Sequence, residues 1–165
     1  MSRPQFRASL VVRAVGLLLL APLVAACTGP SHHDGLTGTA AFLDDTGRGE
    51  RPIDEGWIIA VPAAAVDGLW STTGNKPIDR QNLQGVSARV SRDQVTQAGG
   101  VVAALDDDGE FVLPAKPGPH LICHLESADI GGGEVVQGCG FLTLPASGAL
   151  RITDGEPGFS VGMKE

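Results

Sequence analysis

Cys123 and Cys139 are the residues whose type and spacing most directly suggest chemistry. If the apolar segments 121–126 and 136–141 fold back on each other around Gly131, the two cysteines fall directly opposite each other. Thiols on facing strands can form a disulfide. Closing a loop of about 15 residues would stabilise the folded protein by about 3 kcal/mol, because the cross-link restricts the unfolded chain. We therefore predict a Cys123–Cys139 disulfide, with two free thiols as the alternative.

A metal site is the other chemistry that these residues suggest. Copper or zinc would need Cys123, His124 and Cys139 together, but neighbouring side chains on a strand point to opposite faces. His120 and His124 can share a face, but four residues of strand separate them by about 13 Å, too far for one ion. We therefore predict no metal site and place both histidines at edge or surface positions.

Residues 106–108 are three consecutive aspartates that precede Gly109. A calcium loop needs oxygens from alternate positions and a distant bidentate glutamate, so a solvated turn is favoured over weak calcium binding. The Asp108-Gly109 pair is typical of a tight hairpin turn. Phe111 and Leu113, which follow it, should point together into a core.

The sequence contains neither of the catalytic patterns H-E-x-x-H and G-x-x-x-x-G-K. We therefore predict a protein without catalysis and without a cofactor. Exposed aromatic rings can stack on the apolar faces of sugars, which makes Trp57 and Trp70 the candidate ligand contacts of a carbohydrate-binding alternative. Aromatic residues are only 4% of the chain, which weakens this alternative.

Length and charge restrict the classes of protein further. A chain of 165 residues is sized for one domain. Its formal net charge is −7, and all 19 acidic residues follow Cys27. A protein with this excess of acidic residues repels phosphate backbones, and no nucleic-acid partner is therefore expected.

The N-terminal segment predicts export. Residues 1–26 combine a basic head with the uncharged run 15–26, as a secretory signal does. The run ends in Leu-Val-Ala-Ala before Cys27, which resembles the lipobox of bacterial lipoproteins. The resemblance implies cleavage just before Cys27, a diacylglycerol on its sulfur, and anchorage of the mature chain to a lipid bilayer. An ordinary cleaved signal and an uncleaved membrane anchor are the alternatives.

Residues 27–34 then form a short polar tether. It contains His32 and His33, which we predict to be solvated rather than metal-binding. An exported location is oxidising, which favours the predicted disulfide.

The domain over 35–165 alternates short apolar segments with glycine and proline, a pattern that predicts strands joined by turns. Segment 57–61 has two apolar faces and should be a central strand. The insertion 63–100 is less strand-like. It has room for one or two helical turns near its start, and Ser91 with Gln94 predicts the capping box of one short helix.

Two stretches resemble a carboxypeptidase regulatory-like domain, which has a prealbumin-like β-sandwich fold. They are the segment 38–61 and the Asp-Gly turn, alternating strand and Pro-Gly bend over 108–121, in which His120 stands where tyrosine is usual. The resemblance covers about a third of the mature chain. It implies a folding, adhesion or ligand-holding module without catalytic residues.

The sequence thus predicts a mainly β protein with a single Greek-key β-sandwich and one short helix. The predicted function is that of a lipid-anchored, non-catalytic surface protein that acts as a structural or protein-binding module. It would lie at the outer face of the cytoplasmic membrane, with an outer membrane also possible, and its partner would be an envelope protein or a polysaccharide. Carbohydrate binding and a place in an envelope enzyme system are the alternative functions.

Overall fold

A computed structural model describes residues 35–44, 49–83, 86–128, 133–155 and 158–165 of the protein. These residues belong to one compact unit, and they form two five-stranded sheets and two short helices. The fold is mainly β, and the predicted β-sandwich is confirmed.

The elements follow the turn signals of the sequence. In chain order they are β1 (Leu36–Asp44), β2 (Gly49–Pro52), β3 (Trp57–Pro62), α1 (Val66–Thr72), β4 (Ala88–Arg89), α2 (Arg92–Gln97), β5 (Val101–Ala104), β6 (Glu110–Leu113), β7 (Gly118–Ser127), β8 (Glu134–Leu144), β9 (Ala149–Gly155) and β10 (Ser160–Met163).

The first sheet is organised around β1. On one side β1 pairs in parallel with β9, which in turn pairs with β10. On the other side, the first half of β1 pairs with β6 and the second half with β2, both antiparallel. Because β1 has paired strands along both of its edges, it is the central strand of this sheet. The sequence analysis did not anticipate the parallel pairing.

The second sheet has the order β4-β8-β7-β3-β5 and is antiparallel throughout. Segment 57–61 lies inside it, between β7 and β5, and residues 58–61 are fully buried. The prediction of a central strand with two apolar faces is therefore confirmed.

Both faces of the second sheet carry a core. The inner core lies between the two sheets and includes Ile58, Ile122 and Ile152. The outer core lies on the opposite face of the second sheet, where Trp70 and Val95 pack onto it from the insertion. The insertion is thus a third layer, and its apolar residues cover a face that would otherwise be exposed to water.

The insertion contains two helices in its described part, whereas the sequence predicts one short helix. The helical turns near its start form α1, which buries Val66, Leu69 and Trp70 in the outer core. Burial of large side chains stabilises a helix that is too short to persist alone.

The Asp-rich turn is solvated but is not a hairpin turn. Gly109 adopts a φ of 72°, and the Asp106 carboxylate accepts hydrogen bonds from the backbone N–H groups of Asp108 and Glu110. The strands on either side belong to different sheets, since β5 pairs with β3 and β6 pairs with β1. The turn therefore carries the chain from one sheet to the other. Phe111 and Leu113 point into the inner core, as predicted.

The predicted capping box opens α2. The Ser91 hydroxyl accepts a hydrogen bond from the Gln94 N–H, and the Gln94 side chain accepts one from the Ser91 N–H. Val90 and Val95, on either side of this cap, are both buried in the outer core. The cap therefore fixes where the insertion returns to the sheet.

We expect Ser91→Ala to lower the free energy of unfolding by about 1 kcal/mol, because the Gln94 N–H at the helix start loses the hydroxyl that accepts its hydrogen bond. Urea unfolding followed by circular dichroism would measure the change. Ser160→Ala, at an exposed position of β10, is the control and should be near neutral. Equal stability of the two variants would show that the cap contributes nothing.

Candidate functional site

The predicted disulfide joins Cys123 and Cys139. The two residues are direct cross-strand partners on β7 and β8, and Leu121 is paired with Phe141 in the same register. Both cysteines lie in the outer core and are at most 2% exposed. The disulfide is thus a buried structural cross-link beneath the insertion.

Trp70 does not have the exposure that a sugar-stacking residue needs. It is only 2% exposed and packs in the outer core, so its expected role as a ligand contact is wrong. The four-residue spacing from Val66 that makes α1 amphipathic is what directs its ring inward.

Trp57 is half-buried, and one face of its ring is covered. The Arg92 guanidinium carbon lies 3.9 Å from the centroid of the Trp57 ring. The backbone N–H and the side chain of Arg92 both donate to the Glu134 carboxylate, the backbone bond being 2.7 Å long. The cation–π contact and these hydrogen bonds hold α2 against the sheet. The covered face of the Trp57 ring therefore packs against the insertion.

The sequence analysis placed His120 and His124 at edge or surface positions, and this prediction is wrong. They are 6% and 2% exposed, and they point toward the first sheet, as Ile122 between them does. His120 Nδ1 lies 3.0 Å from the Gly118 carbonyl oxygen. The expectation failed because only one face of β7 is apolar in sequence, the face of Leu121, Cys123 and Leu125, whereas both faces are buried in the structure.

A polar cleft opens at the end of the inner core where β1 and β9 terminate. Its volume is about 320 Å³. From the first sheet, Phe42 of β1 is flanked in register by Arg51 of β2 and Asp154 of β9. The second sheet contributes His124, and the chain before β3 closes one side. We call this the His124 cleft; its lining residues are Phe42, Arg51, Pro52, Ile53, Asp54, Glu55, His124, Glu126, Gln137 and Asp154.

The cleft interrupts the apolar character of the inner core. The inward positions of β9 are Leu150, Ile152 and Asp154, so the same face changes from apolar to charged within two residues. On β7, Ile122 is followed on the same face by His124. These polar residues at inward strand positions are the sequence signal that could have located the cleft.

Hydrogen bonds hold the walls of the cleft in place. His124 Nε2 lies 3.1 Å from the Glu55 carbonyl oxygen and 3.6 Å from Glu126 Oε1. The Gln137 amide donates to Glu126 Oε2 at 2.9 Å. The Arg51 guanidinium carbon lies 4.6 Å from the centroid of the Phe42 ring. The second sheet therefore contributes a hydrogen-bonded histidine, carboxylate and amide to the lining of the cleft.

The charge of the cleft is strongly negative. Four acidic residues are among its lining residues, Asp54, Glu55, Glu126 and Asp154, against the single basic residue Arg51. Of these carboxylates, that of Asp154 also accepts a hydrogen bond from the Gly155 N–H at 2.8 Å. An excess of carboxylates facing one space favours positively charged or hydrogen-bond-donating occupants.

No group of three or more cysteine, histidine or acidic side chains within the described ranges is arranged to hold a metal ion. Neither α1 nor α2, the helices of the described part, has the length and hydropathy of a membrane span. Cys27, the signal 1–26 and the tether 27–34 with its two histidines lie outside the described residues, as does Gly131.

No known protein-family model matches the sequence. No curated protein matches it either. A crystal structure of a Pseudomonas aeruginosa protein proposed to bind carbohydrate is similar in part, with 13% identity and a TM-score of 0.43 over 73% of this chain and 90% of that one.

Proposed function

We propose that the protein is an exported, lipid-anchored surface module without catalytic activity, held at the outer face of a membrane through acylated Cys27. The described domain would act there as a structural or protein-binding body. The observation that carries this proposal is the Cys123–Cys139 disulfide. Structural disulfides persist in oxidising compartments and are rare in the cytosol, so the cross-link supports export.

The three cysteines divide between two roles under this proposal. Cys123 and Cys139 are bonded to each other, which leaves Cys27 as the cysteine for lipid attachment. Two acyl chains hold a protein to a bilayer far more firmly than one, because each buried CH2 adds about 0.8 kcal/mol. The polar tether after Cys27 would give the domain room above the lipid headgroups.

The described surface exposes few large hydrophobic side chains. Its large exposed hydrophobic side chains are Val112 and Met163, which are 37% and 38% exposed. Both belong to the first sheet. Contacts with an envelope partner through this surface would therefore be mostly polar, and partner binding should weaken as salt is raised.

We expect Cys27→Ala to abolish lipid labelling and to leave an unprocessed precursor, because the acyl acceptor is gone. Metabolic labelling with a fatty acid, followed by membrane fractionation, would measure this. Ser31→Ala, in the same tether, should be labelled and processed normally. Normal labelling of Cys27→Ala would overturn the proposal, and separation of the two membranes of an envelope that has two would identify the one that carries the protein.

Carbohydrate binding stays an alternative, but the two tryptophans do not support it. Trp70 is buried and Trp57 is covered on one face by Arg92. A sugar would have to bind elsewhere on the described surface, and titration with soluble polysaccharide should then leave Trp fluorescence unchanged. A place in an envelope enzyme system would require a partner that carries the catalytic residues.

A further inference from the structure

Most of one edge of β8 has no paired strand in the described part of the chain. β4 pairs only with the start of β8, so the run 138–144 is open on the side away from β7. Within that run Cys139 is buried, Phe141 is half-buried and Thr143 is exposed. The accessible part of this edge therefore begins at Phe141.

The spacing of β7 and β8 shows which backbone groups point out of the sheet. The Cα atoms of Cys123 and Cys139 are 4.1 Å apart, the short distance of an antiparallel pair that exchanges no hydrogen bonds. Because every second pair is of this kind, Phe141 and Thr143 also form such pairs with β7. Thr143 agrees with this phase, since its partner Pro119 has no N–H to donate. The N–H and C=O groups of Phe141 and Thr143 therefore point to the open edge.

The open run of β8 also lacks the features that protect a free edge. Its outward N–H and C=O groups have no backbone partner among the described residues. Natural sheets protect such edges with charges, proline or very short strands. β2 carries two charges and Pro52, and β4, β5, β6 and β10 have four residues or fewer. The run 138–144 is longer and contains neither a charge nor a proline, so it is well suited to accept another strand.

The first sheet has an open edge on the same side of the molecule. Two residues of β10 lie against two glycines of β8, in the same order along both strands: Phe159 at Gly138 and Val161 at Gly140. Met163 is therefore level with Leu142, and it is 38% exposed. The Lys164 N–H donates to the Ala149 carbonyl of β9, so by alternation the N–H and C=O of Met163 point away from β9. Both sheets thus present unpaired backbone here.

We propose that two copies of this chain associate by antiparallel pairing of β8 with β8 of the second copy, about a two-fold axis at Leu142. Phe141 of each copy then lies opposite Thr143 of the other, and each of these pairs exchanges two hydrogen bonds. An aromatic ring facing a β-branched side chain is a favourable cross-strand pair. The same axis brings together the exposed Met163 side chains. The contact is self-complementary, as a two-fold interface must be.

An extended segment of another protein would satisfy less of this surface. One added strand pairs with one sheet, so it would leave Met163 and the edge of β10 in water. A second copy covers the edges of both sheets, because each copy brings both. The contact is smaller than a standard interface of about 1,600 Å², so we expect a weak dimer that forms as concentration rises. This association does not depend on the lipid anchor.

Disulfide cross-linking of the purified full-length protein in mild detergent tests the register. At Leu142 the two copies would form a pair without hydrogen bonds, in which the Cα atoms are about 4.5 Å apart, close enough for a disulfide. We expect Leu142→Cys under mild oxidation to give a dimer whose cross-linked peptide, identified by mass spectrometry, joins the two copies at this position. Val112→Cys, at an exposed position of β6, is the control and should stay monomeric. Two copies that merely share a detergent micelle would cross-link equally in both variants.

Substitutions at Thr143 test the hydrogen bonds. Its N–H points out of the sheet, so Thr143→Pro removes a bond to the second copy and none to β7. Added to Leu142→Cys, it should lower the yield of dimer at least about fivefold, because proline cannot donate to the facing strand. Thr143→Lys keeps the N–H but places a charge on each side of the axis, and it should lower the yield as well. Thr37→Lys, at an exposed position of β1, should not. Circular dichroism would show that each variant is folded.

Salt distinguishes this contact from a polar one. Each copy has a formal net charge of −7, whereas the paired run is uncharged, so added salt screens the repulsion between the copies and should raise the dimer yield.

Several results would overturn the proposal. These are the absence of dimer in Leu142→Cys at every concentration, an equal yield in Val112→Cys, an undiminished yield in folded Thr143→Pro, or a yield that falls as salt is added. Cross-linking repeated in intact cells tests the other occupant, and a Leu142→Cys adduct with a different protein in place of the second copy would overturn the proposal too.

Discussion

Gly38→Val should destabilise the protein by about 3 kcal/mol. Gly38 lies in β1 directly opposite Phe111 of β6, and the aromatic ring lies flat over the glycine. A Cβ added at Gly38 would overlap three atoms of the Phe111 ring, and a branched side chain would displace the ring from the inner core. Forced overpacking of a core typically costs about 1–3 kcal/mol, and a clash with a rigid ring belongs at the upper end. Urea unfolding would measure it.

Two further variants separate this cause from a general intolerance of substitution. Gly68→Ala, in α1, meets nothing within 4 Å and should gain about 0.5–1 kcal/mol from helix propensity. Phe111→Leu combined with Gly38→Val should cost at least about 1 kcal/mol less than the sum of the two single changes, since the clash needs both partners. Strict additivity would show that the ring is not the obstacle.

Replacement of both Cys123 and Cys139 by alanine should also cost about 3 kcal/mol. The cross-link closes a loop with a sequence separation of 16, and the loss of that constraint raises the entropy of the unfolded chain. The sulfurs also pack in the outer core, so truncation adds a small packing loss.

Reductant provides the internal control for the cross-link. Both cysteines are buried in the folded protein, so unfolding must be measured in urea with and without dithiothreitol. The parent should lose about as much stability in reductant as the double variant has lost, and the double variant should be insensitive to it. A parent whose unfolding midpoint is unchanged after full reduction would contradict the prediction.

The features that could be predicted from the sequence are local in the chain. The register of Cys123 with Cys139 follows from folding one segment of the chain back on itself, and the inward direction of Phe111 follows from strand alternation. The cap of α2 is determined by Ser91 and Gln94, three residues apart. In each case residues close in sequence carry the whole signal.

The features that were missed depend on contacts between distant segments. The burial of His124 depends on the first sheet, which covers the face of β7 that His124 shares with Ile122, and on the chain before β3, which contacts its ring. The His124 cleft brings Asp154 beside Phe42, and that proximity exists because β1 and β9 pair in parallel. Alternation within a single strand cannot predict which strand will be its neighbour.

The central position of β1 also gives the molecule a defined polarity. Leu36 and Phe42 lie at opposite ends of this strand, and six residues of strand separate them by about 20 Å. The chain leaves the domain at the Leu36 end as well, since the Lys164 N–H donates to the Ala149 carbonyl and Ala149 is paired with Thr37. The described domain therefore begins and ends at the Leu36 end of β1, while the cleft lies at the Phe42 end, so a label added after residue 165 would leave the cleft unobstructed.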